Sequence, residues 1–170
     1  FELLTSAFYF YSASKSNSDL IIAENGLFQR YDSVSSIGNH LMKVVCQIGL
    51  DHLDWLPENK KSIDQIIIEK TSNIMSSNII VSKQNNTEIL KKIQQNIEKN
   101  NAKKIIFAKD YSYEINKDGF LYEDKFGLLQ LPKPNLLGDH QIANTACAIS
   151  AVRNLKQYKI TNENIVKGIK

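Results

Sequence analysis

Residues 78–108, NIIVSKQNNTEILKKIQQNIEKNNAKKIIFA, decide the fold. Asn78-Ile79-Ile80-Val81 and Lys104-Ile105-Ile106-Phe107-Ala108 are apolar runs of strand length. Between them Ile89, Ile93 and Ile97 recur at every fourth position, the spacing of one helical face. Apolar runs without polar alternation suit strands covered on both faces, and strands separated by helices suit a parallel sheet.

The same pattern extends outward. Lys43-Val44-Val45-Cys46-Gln47-Ile48 reads as another buried strand, and so does Asp19-Leu20-Ile21-Ile22-Ala23. Ser62 and Gln65 have the spacing of a capping box that opens a helix running to about Thr71. Leu4, Ala7, Phe8 and Tyr11 form a helical face within residues 1–15. The stretch 111–131 differs: it alternates and contains Asn116-Lys117-Asp118-Gly119, which predicts a hairpin or small antiparallel meander ended by Pro132 and Pro134. Gly138 and Asp139 read as a turn and N-cap to a helix reaching about Gln157, and Thr161 opens a last short helix. The expectation is an α/β fold, a mostly parallel sheet flanked by helices with a small antiparallel hairpin segment, in one domain over residues 1–170.

Composition narrows the function. The chain has 170 residues, 21 basic against 18 acidic, for a net charge of +3. Only Arg30 and Arg153 are arginine and the lysines are scattered, so no clustered basic face for nucleic acid is expected. No apolar run approaches the roughly 18–20 residues that a membrane span needs. Phe1-Glu2-Leu3-Leu4 carries neither Met nor a basic stretch and does not read as a signal peptide. Two cysteines, Cys46 and Cys147, argue against a disulfide framework and point to a reduced, cytoplasmic setting.

The chain contains no Gly-x-x-x-x-Gly-Lys phosphate loop, no Gly-x-Gly-x-x-Gly and no Cys-x-x-Cys. Three polar clusters remain. Glu24 follows one expected strand and Asp51-His52 another, and ligands of open parallel sheets bind beyond the carboxyl ends of strands. A carboxylate and an imidazole there suit either a shared divalent cation or plain capping. In Gly138-Asp139-His140-Gln141-Ile142-Ala143-Asn144, Gln141 and Asn144 share a helical face. Their amides suit the edge of an adenine, or simply a polar first turn.

Four segments in order resemble the central, ATP-binding domain of the folylpolyglutamate synthase and dihydrofolate synthase family of the Mur ligase superfamily. They are Phe1-Glu2-Leu3-Leu4-Thr5, the segment Ile22-Ala23-Glu24-Asn25-Gly26-Leu27-Phe28-Gln29-Arg30-Tyr31-Asp32, then Leu50-Asp51-His52-Leu53-Asp54-Trp55-Leu56 followed by Glu69-Lys70, and Gly138-Asp139-His140-Gln141-Ile142-Ala143-Asn144. The resemblance implies an ATP-dependent ligase that joins L-glutamate to a folate or dihydropteroate carboxylate through an acyl phosphate. It also implies Glu24 and His52 as Mg²⁺ ligands, Lys70 as a catalytic lysine that is carbamylated, and Asn144, His140 and Gln141 as contacts to ATP. Tyr31, Asp32 and Ser33 fall where the family meets its pterin-bearing substrate.

The family's phosphate loop would lie upstream of Phe1 and its second domain downstream of Lys170, so the resemblance implies a partial domain that is inactive alone. The missing segments would be separate chains or absent. Alternatives are an inactive remnant of such a ligase and another Mur-type amide ligase. Phe28 and Gln29 stand where the family has glycines, and they would strain the loop if those positions require positive φ. The spacing from His52 to Lys70 is about three residues longer than the family's, a change that moves a helical side chain to another face.

Overall fold

The computed structural model describes residues 1–15 and 17–170. Helix α1 spans Glu2–Lys15. Strand β1 (Lys43–Val45), helix α2 (Ile63–Thr71), strand β2 (Asn78–Val81), helix α3 (Thr87–Glu98) and strand β3 (Lys103–Ile106) follow. Next come three strands, β4 (Tyr111–Asn116), β5 (Gly119–Asp124) and β6 (Gly127–Leu131). Helices α4 (His140–Arg153) and α5 (Asn162–Ile169) complete the order. β1, β2 and β3 form a parallel sheet in that order, with Val44 opposite Ile80 and Ile80 opposite Ile105. β4, β5 and β6 form an antiparallel meander. The expected α/β architecture is therefore the one found.

The central strand explains the continuous apolar run. Ile79, Ile80 and Val81 are all fully buried, because alternate side chains enter two different cores. Ile79 and Val81 join Val45 and Ile106 against Ile66 and Ile67 of α2 and Ile93 and Ile97 of α3. Ile80 and Ile105 face the other way, into Tyr111, Phe120, Tyr122 and Leu131 of the meander, Ala146 and Ile149 of α4, and Ile165 and Ile169 of α5. The meander and α4 thus replace the helix-only cover of a simple βαβ repeat.

Local signals act largely as read. The Ser62 hydroxyl accepts from the Gln65 N–H at 3.2 Å, but the Gln65 side chain turns forward to Glu69 instead of back, so only half of the capping box forms. Thr161 and Asn164 form a complete one at α5. Gly119 closes the β4–β5 turn at φ +149°, where a Cβ would stand 2.0 Å from the Leu131 carbonyl oxygen.

Three expectations are corrected. Asp19–Ala23 is no strand: it runs without a ladder partner, and Leu20, Ile21 and Ile22 are exposed, Ile22 to 91%. An apolar run becomes a strand only beside a partner, and among the described residues nothing pairs with it. Asp139 does not cap α4: its backbone is already helical (φ −62°, ψ −29°) and its side chain makes no hydrogen bond to the first-turn amides. Helix α4 also ends at Arg153, short of Gln157, where the Asn154 side chain donates to the Ser150 carbonyl and stops it. Helix α1 forms as expected but has no buried residue, and Leu3, Leu4 and Phe10 stand in solvent.

One buried ion pair ties α4 to the meander. Arg153 Nε lies 3.0 Å from Asp124 Oδ2, with side chains 9% and 4% exposed. The Tyr122 hydroxyl donates to the same Oδ2 at 3.0 Å, and the guanidinium lies over the Tyr122 and Phe126 rings. Asp124→Ala, which leaves the arginine buried without a counter-charge, will lower the unfolding free energy in urea by about 3–5 kcal/mol. The double variant Asp124→Leu/Arg153→Met will recover most of that loss.

Both cysteines are free; Cys147 is buried on α4 and Cys46 is accessible. Burial pushes the Cys147 thiol up to about 11 from an ordinary 9.0. The unfolded chain therefore releases this proton first as pH rises, so the Cys147 contribution to stability is intact below pH 9 and falls between about 9 and 11. Urea midpoints measured across that window will decline, and less steeply in Cys147→Ala.

Candidate active site at the carboxyl end of the first parallel strand

The chain leaving β1 is led outward as Cys46-Gln47-Ile48-Gly49-Leu50 and delivers Asp51 and His52 beyond the sheet. His52 adopts a left-handed backbone (φ 56°), uncommon outside glycine, ahead of the short 3₁₀ turn Leu53–Trp55. Asp51 Oδ2 lies 3.2 Å from Lys70 Nζ and 3.6 Å from His52 Nε2. One carboxylate oxygen thus faces both the lysine and the imidazole. The longer spacing before Lys70 does not carry it away: near the end of α2 it still reaches Asp51.

Glu24 makes no ion pair with this group among the described residues. The Cys46 thiol is pushed up by desolvation first and then by the Glu24 carboxylate, with Lys70 pulling the opposite way, so both charged groups neighbour the end of β1. Glu24 also lines a groove of about 280 Å³ with Leu4, Thr5, Phe8 and Tyr9 of α1. A second hollow, of about 450 Å³, lies beside Gly49 and Leu50 at the start of α2 and α3 and holds none of the expected site residues.

The loop between Glu24 and β1 is tightly braced. Asp32 accepts from the Gly26 and Val34 N–H groups, each at 2.8 Å, so its carboxylate closes the loop. The Ser33 hydroxyl donates to Thr5 at 3.2 Å, and Asn25 bonds both Ser35 and the Lys43 ammonium. Of the three residues expected at a substrate, Tyr31 alone is extended into solvent, 86% exposed beneath the Arg30 guanidinium. Phe28 and Gln29 take ordinary negative φ values, so the feared strain is absent. Phe28 instead packs edge-on against the His52 ring at 6.1 Å, and the Gln29 and Arg30 N–H groups both donate to the Glu69 carbonyl.

Helix α4 presents the remaining candidates. Its last turn meets the start of β3, where Lys103 Nζ donates to Asn154 at 3.3 Å, while Cys147 lies near Ser82 just past β2. The helix therefore runs against the strands, and its first turn projects beyond their carboxyl ends. There His140 and Asn144 are exposed, and Asn144 Nδ2 donates to Gln141 Oε1 at 3.1 Å. Gly138, at φ +109°, lies under the His140 ring, where a Cβ would come within 2.6 Å of Cε1.

The strands, the α4 dipole end and the Glu24, Asp51, His52 and Lys70 group invite comparison with known proteins. No family model matches the chain. The dihydrofolate synthase/folylpolyglutamate synthase of Bacillus subtilis is 28% identical over 169 residues, 95% of this chain and 38% of that protein. E. coli FolC, solved in complex with DHPP and ADP, is 28% identical with a TM-score of 0.70 over 86% of this chain and 33% of its own. The resemblance read from the sequence holds. L. casei FPGS, in its AMPPCP complex, shares the fold at a TM-score of 0.80 over 98% of this chain, 42% of its own and 23% identity. The chain thus spans well under half the length of each of these relatives.

The sequence points to Glu24, His52 and Lys70, whereas the brace between the last two is Asp51. Asp51 was visible only as a neighbour of His52, and its contact with Lys70 is tertiary. Gly138→Ala will cost at least about 1 kcal/mol in urea unfolding, because an L side chain resists this φ. It will also displace the His140 ring resonances, which histidine-selective NMR will detect.

Proposed function

We propose that the chain is the central domain of an ATP-dependent ligase of folate metabolism, one that joins L-glutamate to a folate or dihydropteroate carboxylate. The observation that carries this reading is the meeting of Asp51, His52 and Lys70 just beyond the carboxyl end of β1, with one Asp51 oxygen facing both the lysine and the imidazole. It is supported by the ligands of the relatives, DHPP with ADP in FolC and AMPPCP with folate in FPGS. In this reading residues 1–170 form a partial Mur ligase-type central domain. A phosphate loop and a closing second domain come from polypeptide outside these residues, within the same protein or as separate chains.

The reaction has two transfers. A substrate carboxylate oxygen attacks the γ-phosphorus of ATP, the bond to ADP breaks, and an acyl phosphate forms. The glutamate amine then attacks the acyl carbon, inorganic phosphate leaves, and the amine proton is released. Asn144, with Gln141 and His140, meets the adenine: the Asn144 and Gln141 amides, now bonded to each other, can reopen toward a base edge that both donates and accepts. Tyr31 offers an exposed ring to the pterin, while Asp32 and Ser33 hold the loop that presents it.

The donor set fits Mg²⁺ in one form. Among the described residues no cluster of three or more His, Cys, Asp or Glu stands ready for a metal. Mg²⁺ bound to nucleotide phosphates needs only one or two protein carboxylates, a place Glu24 would fill, with His52 as the further ligand that the resemblance implies. When bound, it offsets charge on the transferring phosphoryl group. Lys70 keeps a cation on Asp51 and holds that carboxylate in place; carbamylation would reverse its sign and free Asp51. A cytoplasmic, reducing setting suits the two free thiols. Among the described residues no helix is long and apolar enough to cross a membrane.

A second reading, a ligase-like domain without catalysis, is favoured by Phe28, whose ring packs against His52 in place of a family glycine. Calorimetric titration with Mg·ATP separates the two. Saturable binding that Glu24→Ala and Asn144→Ala each weaken at least about tenfold, the usual cost of losing a metal ligand or a nucleotide contact, supports the ligase reading. Absence of binding to a folded sample supports the second.

A further inference from the structure

We infer that Gln84 is the positioning residue that fixes the Asp51–His52 segment in the candidate site; this rests on the ligase reading above. The ladder between β1 and β2 ends at Val45 and Val81, followed by one further bond from the Ser82 N–H to the Val45 carbonyl at 2.9 Å. Beyond it the two chains separate, and residues 46–50 lose their strand neighbour. Gln84 takes that neighbour's place. Its Oε1 accepts from the Ile48 N–H at 3.0 Å, and its Nε2 donates to the Cys46 carbonyl at 3.2 Å and to its own strand's Ser82 carbonyl at 3.0 Å. The residue is only 9% exposed, and Ile48 beside it 2%.

One amide therefore reproduces, from a side chain, the donor and acceptor that a paired strand would offer. Both of its bonds to the outgoing chain land within five residues of Asp51. From Ile48 to Asp51 the backbone adds one further bond, Asp51 N–H to the Gly49 carbonyl at 3.0 Å. His52 then stands where Phe28 meets its ring and Asp51 meets its Nε2. Without the amide, residues 46–50 keep no cross-chain hydrogen bond past Val45 among those described, and the approach of Asp51 to Lys70 loses its fixed base.

Three samples test this: wild type, Gln84→Met, which keeps the volume and removes all three bonds, and Gln84→Glu, which keeps the Ile48 acceptor alone. The first readout needs no ligand: the nuclear Overhauser contact between the Phe28 and His52 rings. It is expected in wild type, weakened in Gln84→Glu and lost in Gln84→Met, with the Arg153–Asp124 region unshifted. The second is calorimetric affinity for Mg·AMPPCP, expected to fall about tenfold or more in Gln84→Met and less in Gln84→Glu. A retained ring contact with wild-type affinity in a folded Gln84→Met overturns the inference. If that variant does not fold by circular dichroism, wild-type contact and affinity in Gln84→Glu overturn it instead. If wild type takes no Mg·AMPPCP, the non-catalytic reading gains, and the ring contact alone decides the role of Gln84.

Discussion

Everything in the molecule depends on burying both faces of β2. A strand whose Ile79, Ile80 and Val81 all lose their water must be central, and each side chain demands cover from its own side. One demand is met by α2 and α3 through Ile66, Ile67, Ile93 and Ile97. The other is met by the meander and α4 through Phe120, Tyr122 and Ala146. At roughly 1.5–3 kcal/mol for each large apolar side chain buried, these contacts outweigh any single polar feature. They also set where the carboxyl ends of the strands emerge.

Function is then a matter of what happens just past those ends. β1 is short, and the polypeptide beyond it would wander without an anchor. The anchor is polar and buried: Gln84 holds that outgoing chain, while Glu69 holds the loop before β1 through the Arg30 side chain and the Gln29 and Arg30 amides. Glu69 precedes Lys70 directly, so the contact that fastens the loop to α2 also fixes the lysine's root.

What the sequence makes legible follows from range. Continuous apolar runs, the fourfold repeat of isoleucines in α3 and the Asn116–Gly119 turn are local signals, and each produced its element. The candidates Glu24, His52 and Lys70 come from motif order, and the contact of His52 and Lys70 with one Asp51 carboxylate is tertiary and lies outside what spacing shows. Asp19–Ala23 failed because a strand is defined by its partner, and the sequence shows only one side of the pairing. Gln84 was silent for a similar reason: within Ser82-Lys83-Gln84-Asn85-Asn86 it is one polar residue among five, and only the fold reveals that it points inward. Arg153 and Asp124, far apart in the chain, could not announce their pairing either.

The outer edge of β1 has a consequence for handling the domain. That edge carries unpaired backbone groups on the described sheet, and the molecule also exposes an apolar run at Leu20–Ile22 and a helix with no buried residue. An exposed edge strand templates intermolecular β-pairing, and exposed apolar side chains add to the attraction. Colloidal behaviour will therefore worsen with concentration, and lysine-rich charge elsewhere on the surface offsets it only at low ionic strength. Co-expression with a polypeptide that adds a strand to this edge is the physical remedy, more so than any change of buffer.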